Sequence, residues 1–144
     1  MTASRPTYVK DMETLRPSTL LLVRRGAAAG AAAAVVTTAT AVIARAADVA
    51  LEVDGAEIPI AAFAMWTVVG AALGILLARF LGDRRRFVTV ALMTTGLSLV
   101  PPIALPDQVA TKAVLVGAHL LAAAIIVPAL SRLLPTVRGR GTQI

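Results

Sequence analysis

Four apolar stretches alternate with short polar breaks along this chain, and each is long enough to cross a membrane as a helix. The pattern predicts spans at about 24–47, 59–81, 87–105 and 109–134, within a transmembrane region of 19–134. Arg24 and Arg25 mark the inner limit of the first span, which leaves Gly26 to Arg45, roughly twenty residues, for about 30 Å of hydrocarbon. Pro59 suits a first helical turn, where its missing N–H costs little. Pro101 and Pro102 predict that the third helix bends or ends near the opposite surface, Asp107 is a candidate cap for the fourth, and Pro128 predicts a kink in it. Residues 1–18 and 135–144 are polar tails, the second one basic, with no sustained period. The alternative for the first stretch is a cleaved signal peptide, with Arg24-Arg25 as its charged region and Ala44-Arg45-Ala46 as the cleavage site. Its apolar run exceeds the usual 7 to 15 residues, which favours a retained helix.

The break between the first two stretches is acidic, with Asp48, Glu52, Asp54 and Glu57. Val49, Leu51 and Val53 alternate with polar or small residues, and Asp54-Gly55 is a favourable two-residue turn. A short hairpin and an irregular loop are both compatible with this segment, since an isolated hairpin needs something to pack against.

Charge adds orientation. Arg5, Lys10, Arg16, Arg24 and Arg25 precede the first stretch, Arg79 and Arg84 to Arg86 flank the second break, and Arg132, Arg138 and Arg140 follow the fourth. Only Arg45 and Lys112 of the 14 basic residues fall on the other side. Cationic loops stay in the cytoplasm during insertion, so both termini are expected there and the acidic loop outside. Composition agrees with a lipid environment: 58% hydrophobic residues, 15% charged residues and a mean hydropathy of +0.82 are too apolar for a soluble domain of this length. The net charge of +6 does not indicate nucleic acid, because the basic residues sit at segment ends and not in a stripe with interleaved aromatics.

Two helical faces carry small residues. On the first helix Gly26, Gly30, Ala33, Thr37, Thr40 and Ala44 recur at spacings of four and three; on the second, Gly70 and Gly74 form a GxxxG continued by Trp66 and Ala78. Such stripes let backbones approach in lipid, either within one bundle or between copies of the chain. Candidate chemistry is sparse. The chain has no cysteine and one histidine, so disulfides, thiolate metal sites and multi-histidine metal or haem sites are excluded. That histidine, His119, lies inside the fourth span on the face of Lys112, Ala122, Ala123 and Ile126. A structural role predicts a hydrogen bond across a helix interface to Thr94, Thr95 or Ser98, or to Thr37 or Thr40; a functional role predicts a ligand or a proton. Arg45 with Asp48, and Asp107 with Lys112, are spaced to pair near the outer surface, or to form a polar vestibule leading to His119.

The segment Ala110-Thr111-Lys112-Ala113-Val114-Leu115, continued by His119-Leu120 and Pro128-Ala129-Leu130, together with the Ala-rich first helix, the acidic Val-Asp-Gly loop and the Pro-containing third helix, resembles a family of short, uncharacterised four-helix membrane proteins of high-GC Gram-positive bacteria. The likeness covers about residues 20 to 134. It implies a four-helix membrane fold, carries no activity with it, and makes Thr111, Lys112, His119 and Pro128 the positions to watch.

The sequence therefore predicts an all-α, four-helix integral membrane bundle of the bacterial cytoplasmic membrane. It is expected to be a non-catalytic structural or interaction component, with no cofactor and no metal. Its expected partners are the lipid bilayer and either further copies of itself or another membrane protein, with no nucleic acid. The alternative is a module that binds or transports a lipid, a small molecule or a proton through the His119 region.

Overall fold

Long runs of Ala, Leu and Val without an internal glycine-proline break favour helix over any other backbone in lipid, where every amide must find its partner inside its own segment. A computed structural model describes residues 18–136 and bears this out: the described residues are mostly helical. The expectations for the tails fall outside the described residues except at Ser18, Pro135 and Thr136. Helix α1 spans Thr19–Ala46, a two-stranded hairpin follows with β1 at Glu52–Val53 and β2 at Ala56–Glu57, α2 spans Ile60–Leu81, α3 Arg84–Ser98, α4 Val100–Ala104 and α5 Val109–Ser131. With α3 and α4 taken together as Arg84–Ala104, four helices are long and apolar enough to cross a membrane. Their outer faces agree, since Leu20, Ile43, Phe80, Met93, Leu97 and Val109 are all exposed. An apolar surface of that extent is at home in hydrocarbon, and the chain is accordingly a multi-pass membrane protein.

Several ends differ from the sequence pattern, each for a local reason. Helix α1 starts before Arg24, because the Ser18 side chain accepts from the Leu21 amide at 3.2 Å and caps the helix there. Its other end closes with the Val49 amide on the Ala44 carbonyl and the Asp48 amide on the Arg45 carbonyl, both at 3.0 Å, which places Asp48 in the left-handed region at φ 57°. Asp48 thus terminates the helix, and Arg45 turns to Glu57, not to Asp48. The acidic segment forms the hairpin: Asp54 and Gly55 both have positive φ, as a two-residue turn of the primed type requires. Its support comes from Leu51, buried with Ala41, Ala44, Phe63 and Ala118, and from Thr111, whose hydroxyl donates to the Ala50 carbonyl at 2.6 Å. Glu52 and Glu57 face each other across the strands, and Arg45 offsets that repulsion by pairing with Glu57 and donating to the Ile58 carbonyl at 3.1 Å.

At the opposite end Gly82 takes the left-handed position after α2, and the Asp83 carboxylate accepts from the Arg86 amide at 3.0 Å to start α3. The Arg84 amide donates to the Pro135 carbonyl at 3.0 Å, which ties the start of the third span to the end of the fourth. The third span breaks at Leu99, as the proline pair predicts, whereas Pro128 lies inside α5 without ending it. Asp107 does not cap α5. The cap residue is Gln108, and it makes no side-chain capping bond.

Helix α1 packs closely against α2 and α5, burying Leu22, Gly26, Ala29, Gly30, Ala33, Thr37, Ala41 and Ala44. The stripe runs through Ala41, while Thr40 turns to the Val36 carbonyl of its own helix. Thr37 of α1 and Thr67 of α2 share a buried hydroxyl–hydroxyl bond of 2.9 Å, and each also turns to a carbonyl of its own helix, Thr37 to Ala34 at 3.2 Å and Thr67 to Phe63 at 2.6 Å. A methyl group added at Gly30 would sit 2.6 Å from the Ala71 β-carbon, and one at Gly26 would fall on the Ile75 side chain. The GxxxG of α2 is used differently. A β-carbon at Gly74 would reach the Leu130 and Ile126 side chains only at 3.2 and 3.4 Å, and one at Gly70 would meet nothing within 4 Å. The tightest contacts therefore belong to Gly26 and Gly30, and the expectation that Gly70 packs closely within the bundle is corrected.

The same substitution made on the two helices should have opposite outcomes. Gly30→Ala has no room, because the Ala71 β-carbon cannot rotate away, and should lower stability in detergent by about 1–3 kcal/mol. Gly70→Ala should be neutral or stabilising, since it removes a helical glycine at no steric cost. Thermal unfolding of the two variants checks this, and equal losses would show that α2 is packed on both faces.

Candidate functional site

The third span is the loosely held one. Along it, burial is confined to the ends, at Phe87 and Ala91 on one side and at Pro102 on the other. Between them no residue is buried, and there a cleft of about 670 Å³ opens between α2, α3, α4 and α5, within the range of small-molecule sites. Helix α1 takes no part in it, because it fills the opposite side of the α2–α5 pair.

The cleft has a polar belt between two apolar ends. Towards the Arg84–Arg86 end its walls are Leu73, Leu77, Phe87, Ala91, Ile126 and Val127; towards the hairpin end they are Phe63, Leu105, Pro101 and Pro102, with Val53 and Ile58 of the hairpin region as a roof. In between lie His119, Thr94, Thr95, Ser98 and Thr67, with Trp66 alongside. Gly70, Thr94 and His119 each stand ten residues from the start of their helix, about 15 Å at 1.5 Å per residue, and so at nearly the same mid-depth. Gly70 makes room there. No Asp, Glu, Lys or Arg lines the cleft.

His119 is half-buried and turns one ring nitrogen back on its own helix, with Nδ1 2.9 Å from the Leu115 carbonyl oxygen. It does not bond Thr94, Thr95 or Ser98 across the interface, nor Thr37 or Thr40, which lie on or beside the far helix. Ser98 behaves similarly, donating to the Thr95 carbonyl at 2.7 Å. A carbonyl oxygen can only accept. In a neutral imidazole, therefore, Nδ1 carries the proton and Nε2 the lone pair. Nε2 has no hydrogen-bond partner among the described residues.

The remaining sequence candidates are not gathered around His119. Arg45 is committed to the hairpin, Asp48 ends α1, and neither Asp107 nor Lys112 is in an ion pair among the described residues. None of the four lines the cleft, whose hairpin end is roofed by Val53 and Ile58, so they do not form the polar vestibule, the alternative to pairing near the surface. Of the glycines, Gly26 and Gly30 hold the helix packing, whereas Gly70 and Gly74 line the cleft. Sequence reasoning named Trp66 only as an extension of the GxxxG face, and missed Phe63 and the cleft as a whole. The available signal was three hydroxyls within five residues of the third span, Thr94, Thr95 and Ser98, which is an unusual density for a helix that only faces lipid. A second, open depression on α1 around Val35, Ala39 and Val42 has Thr38 as the single hydroxyl in its lining and presents an apolar surface.

The chain belongs to the Family of unknown function (DUF6069), whose sequence model matches residues 17–136. No curated protein and no solved structure matches it.

Proposed function

We propose that this family member is a non-catalytic protein of a bacterial cytoplasmic membrane that holds one apolar, chain-like molecule in the cleft between its second, third and fourth spans. The observation that carries the reading is the cleft itself, together with its length and its apolar walls. Its lining on α2 runs from Ala62 to Leu77, about 22 Å along the helix at 1.5 Å per residue. A long cleft of that kind, walled almost wholly by apolar side chains, suits a hydrocarbon chain lying along the helices. A holder, not an enzyme, is favoured by the lining: His119 is its one titratable side chain, and no carboxylate or nucleophile is bonded to it among the described residues. The interaction role expected from the sequence becomes the second reading, supported by the small residues Gly70, Ala91, Ala118 and Ala122 along the same walls.

Native mass spectrometry of the full chain extracted from membranes tests this. A bound apolar species at one per chain is expected, and Gly70→Trp, which fills the cleft where a side chain meets nothing, should remove it while the protein stays folded. A stoichiometric protein partner lost in the same variant would support the second reading. An adduct that survives Gly70→Trp would place the ligand elsewhere and refute the proposal.

Orientation belongs to the same proposal, with both termini and Arg84 to Arg86 cytoplasmic and the hairpin outside, on the strength of the basic residues at one end of the helices. A cysteine introduced at Asp54 of this cysteine-free chain should react with an impermeant thiol reagent on intact cells, and one at Arg85 should stay protected. The reverse labelling would invert the molecule.

A further inference from the structure

The polar belt narrows the chemistry of the molecule that fits the cleft. We infer, on the reading of the cleft as a binding site, that its ligand is an uncharged lipid alcohol whose hydroxyl donates a hydrogen bond to Nε2 of His119.

Three observations lead there. First, the cleft presents no charged side chain, so an ionic group at its mid-depth would be left unpaired in hydrocarbon, which is strongly unfavourable. The ligand is neutral at that level. Second, three polar atoms of the belt turn their protons to backbone carbonyls: Nδ1 of His119 to Leu115 at 2.9 Å, Oγ of Ser98 to Thr95 at 2.7 Å, and Oγ1 of Thr67 to Phe63 at 2.6 Å. Nε2 of His119 is left to accept. A ketone, an ether or an ester brings only further lone pairs to it, whereas an O–H group brings the missing proton. The hydroxyls of Thr94 and Thr95 can give or take a proton, and the Trp66 indole N–H gives one to an alcohol oxygen as readily as to a carbonyl or an ether, so none of the three discriminates between these classes. Third, apolar walls continue past the belt in both directions, to Leu77 and Phe87 at one end and to Phe63 and Pro102 at the other. The hydroxyl of the ligand is therefore held near mid-depth, unlike the headgroup of a phospholipid, which stays at the surface.

The selectivity expected is that of one net hydrogen bond, about two- to tenfold between an alcohol and its aprotic analogue. Trp66 is the chain's single tryptophan and lines the cleft, so its fluorescence reports occupancy. With the full chain in phosphatidylcholine nanodiscs, a brominated long-chain alcohol should quench Trp66 saturably. Hexadecanol should displace it at two- to tenfold lower mole fraction than hexadecyl methyl ether or a ketone of the same length. His119→Leu, which removes the acceptor, should erase that preference. His119→Gln offers a donor as well as an acceptor, and should keep hexadecanol binding while raising the ketone to match it; this variant carries the test if the leucine variant fails to fold. Equal displacement by all three competitors in the native chain, or a preference that survives His119→Leu, would overturn the inference and leave the cleft as an unselective chain-binding site. Absence of saturable quenching by the brominated alcohol and by a brominated alkane alike would instead remove the binding reading on which the inference rests.

Discussion

The close approach of α1 to α2 at Gly26 and Gly30 is the contact on which the rest of the structure depends. Lipid tails are as apolar as leucine, so hydrophobicity does not draw these helices together; short-range packing and a few interhelical hydrogen bonds must do it. Both act only where backbones come near. The face from Gly26 to Ala44 provides that nearness, and the Thr37–Thr67 bond fixes the pair in register. Ala33, Ala71 and Ala78 continue the contact, and Leu22 and Leu130 fill its wider end. Once α1 occupies one side of the α2–α5 pair, the third span must use the other side. There the residues it offers, from Leu92 to Pro101, include no buried position.

The cleft follows from that imbalance, and the two ends of the molecule keep it open. At one end the third span is tied down by the Arg84–Pro135 backbone bond and by Phe87, buried among the core residues. At the other end Pro102 is buried, after a break that two consecutive prolines impose. The hairpin supplies the roof. It is held by Leu51, Arg45 and Thr111, which come from the loop, α1 and α5, so the roof is anchored to the two helices on either side of it and not to the third span. His119 and Ser98 satisfy themselves on their own helices, an arrangement that leaves one lone pair on His119.

The sequence disclosed the spans because the length of an apolar run is set by bilayer thickness, independently of what packs against it. It disclosed the α1 stripe for a similar reason: glycines four apart necessarily share a face. The Asp54-Gly55 turn was legible too, but the sequence left its hairpin open, because its support comes from Thr111, 61 positions from its partner Ala50. Gly70 and Gly74 carry the same signal as Gly26 and Gly30, and the difference between them lies in what faces each, which is a tertiary fact. Arg45 and Asp48 have the right spacing to pair, yet the left-handed backbone at Asp48 ends the helix and the hairpin brings Glu57 to Arg45 instead. His119 stood out as a lone intramembrane histidine. Which of its nitrogens is occupied, and by what, depends on a side-chain rotamer that no spacing encodes.

The central claim is that α2 is packed on one face and open on the other at mid-depth. A nitroxide side chain placed singly at Gly70 and at Ala71, in the cysteine-free chain reconstituted in lipid, measures that directly through its mobility and its accessibility to oxygen. The Gly70 label should be mobile and reached by oxygen, becoming restricted when a long-chain ligand is added, and the Ala71 label, at a buried position facing α1, should be immobile throughout. Equal immobility and equal protection from oxygen at the two sites would mean that the third span closes on α2, and that the cleft does not exist in the membrane.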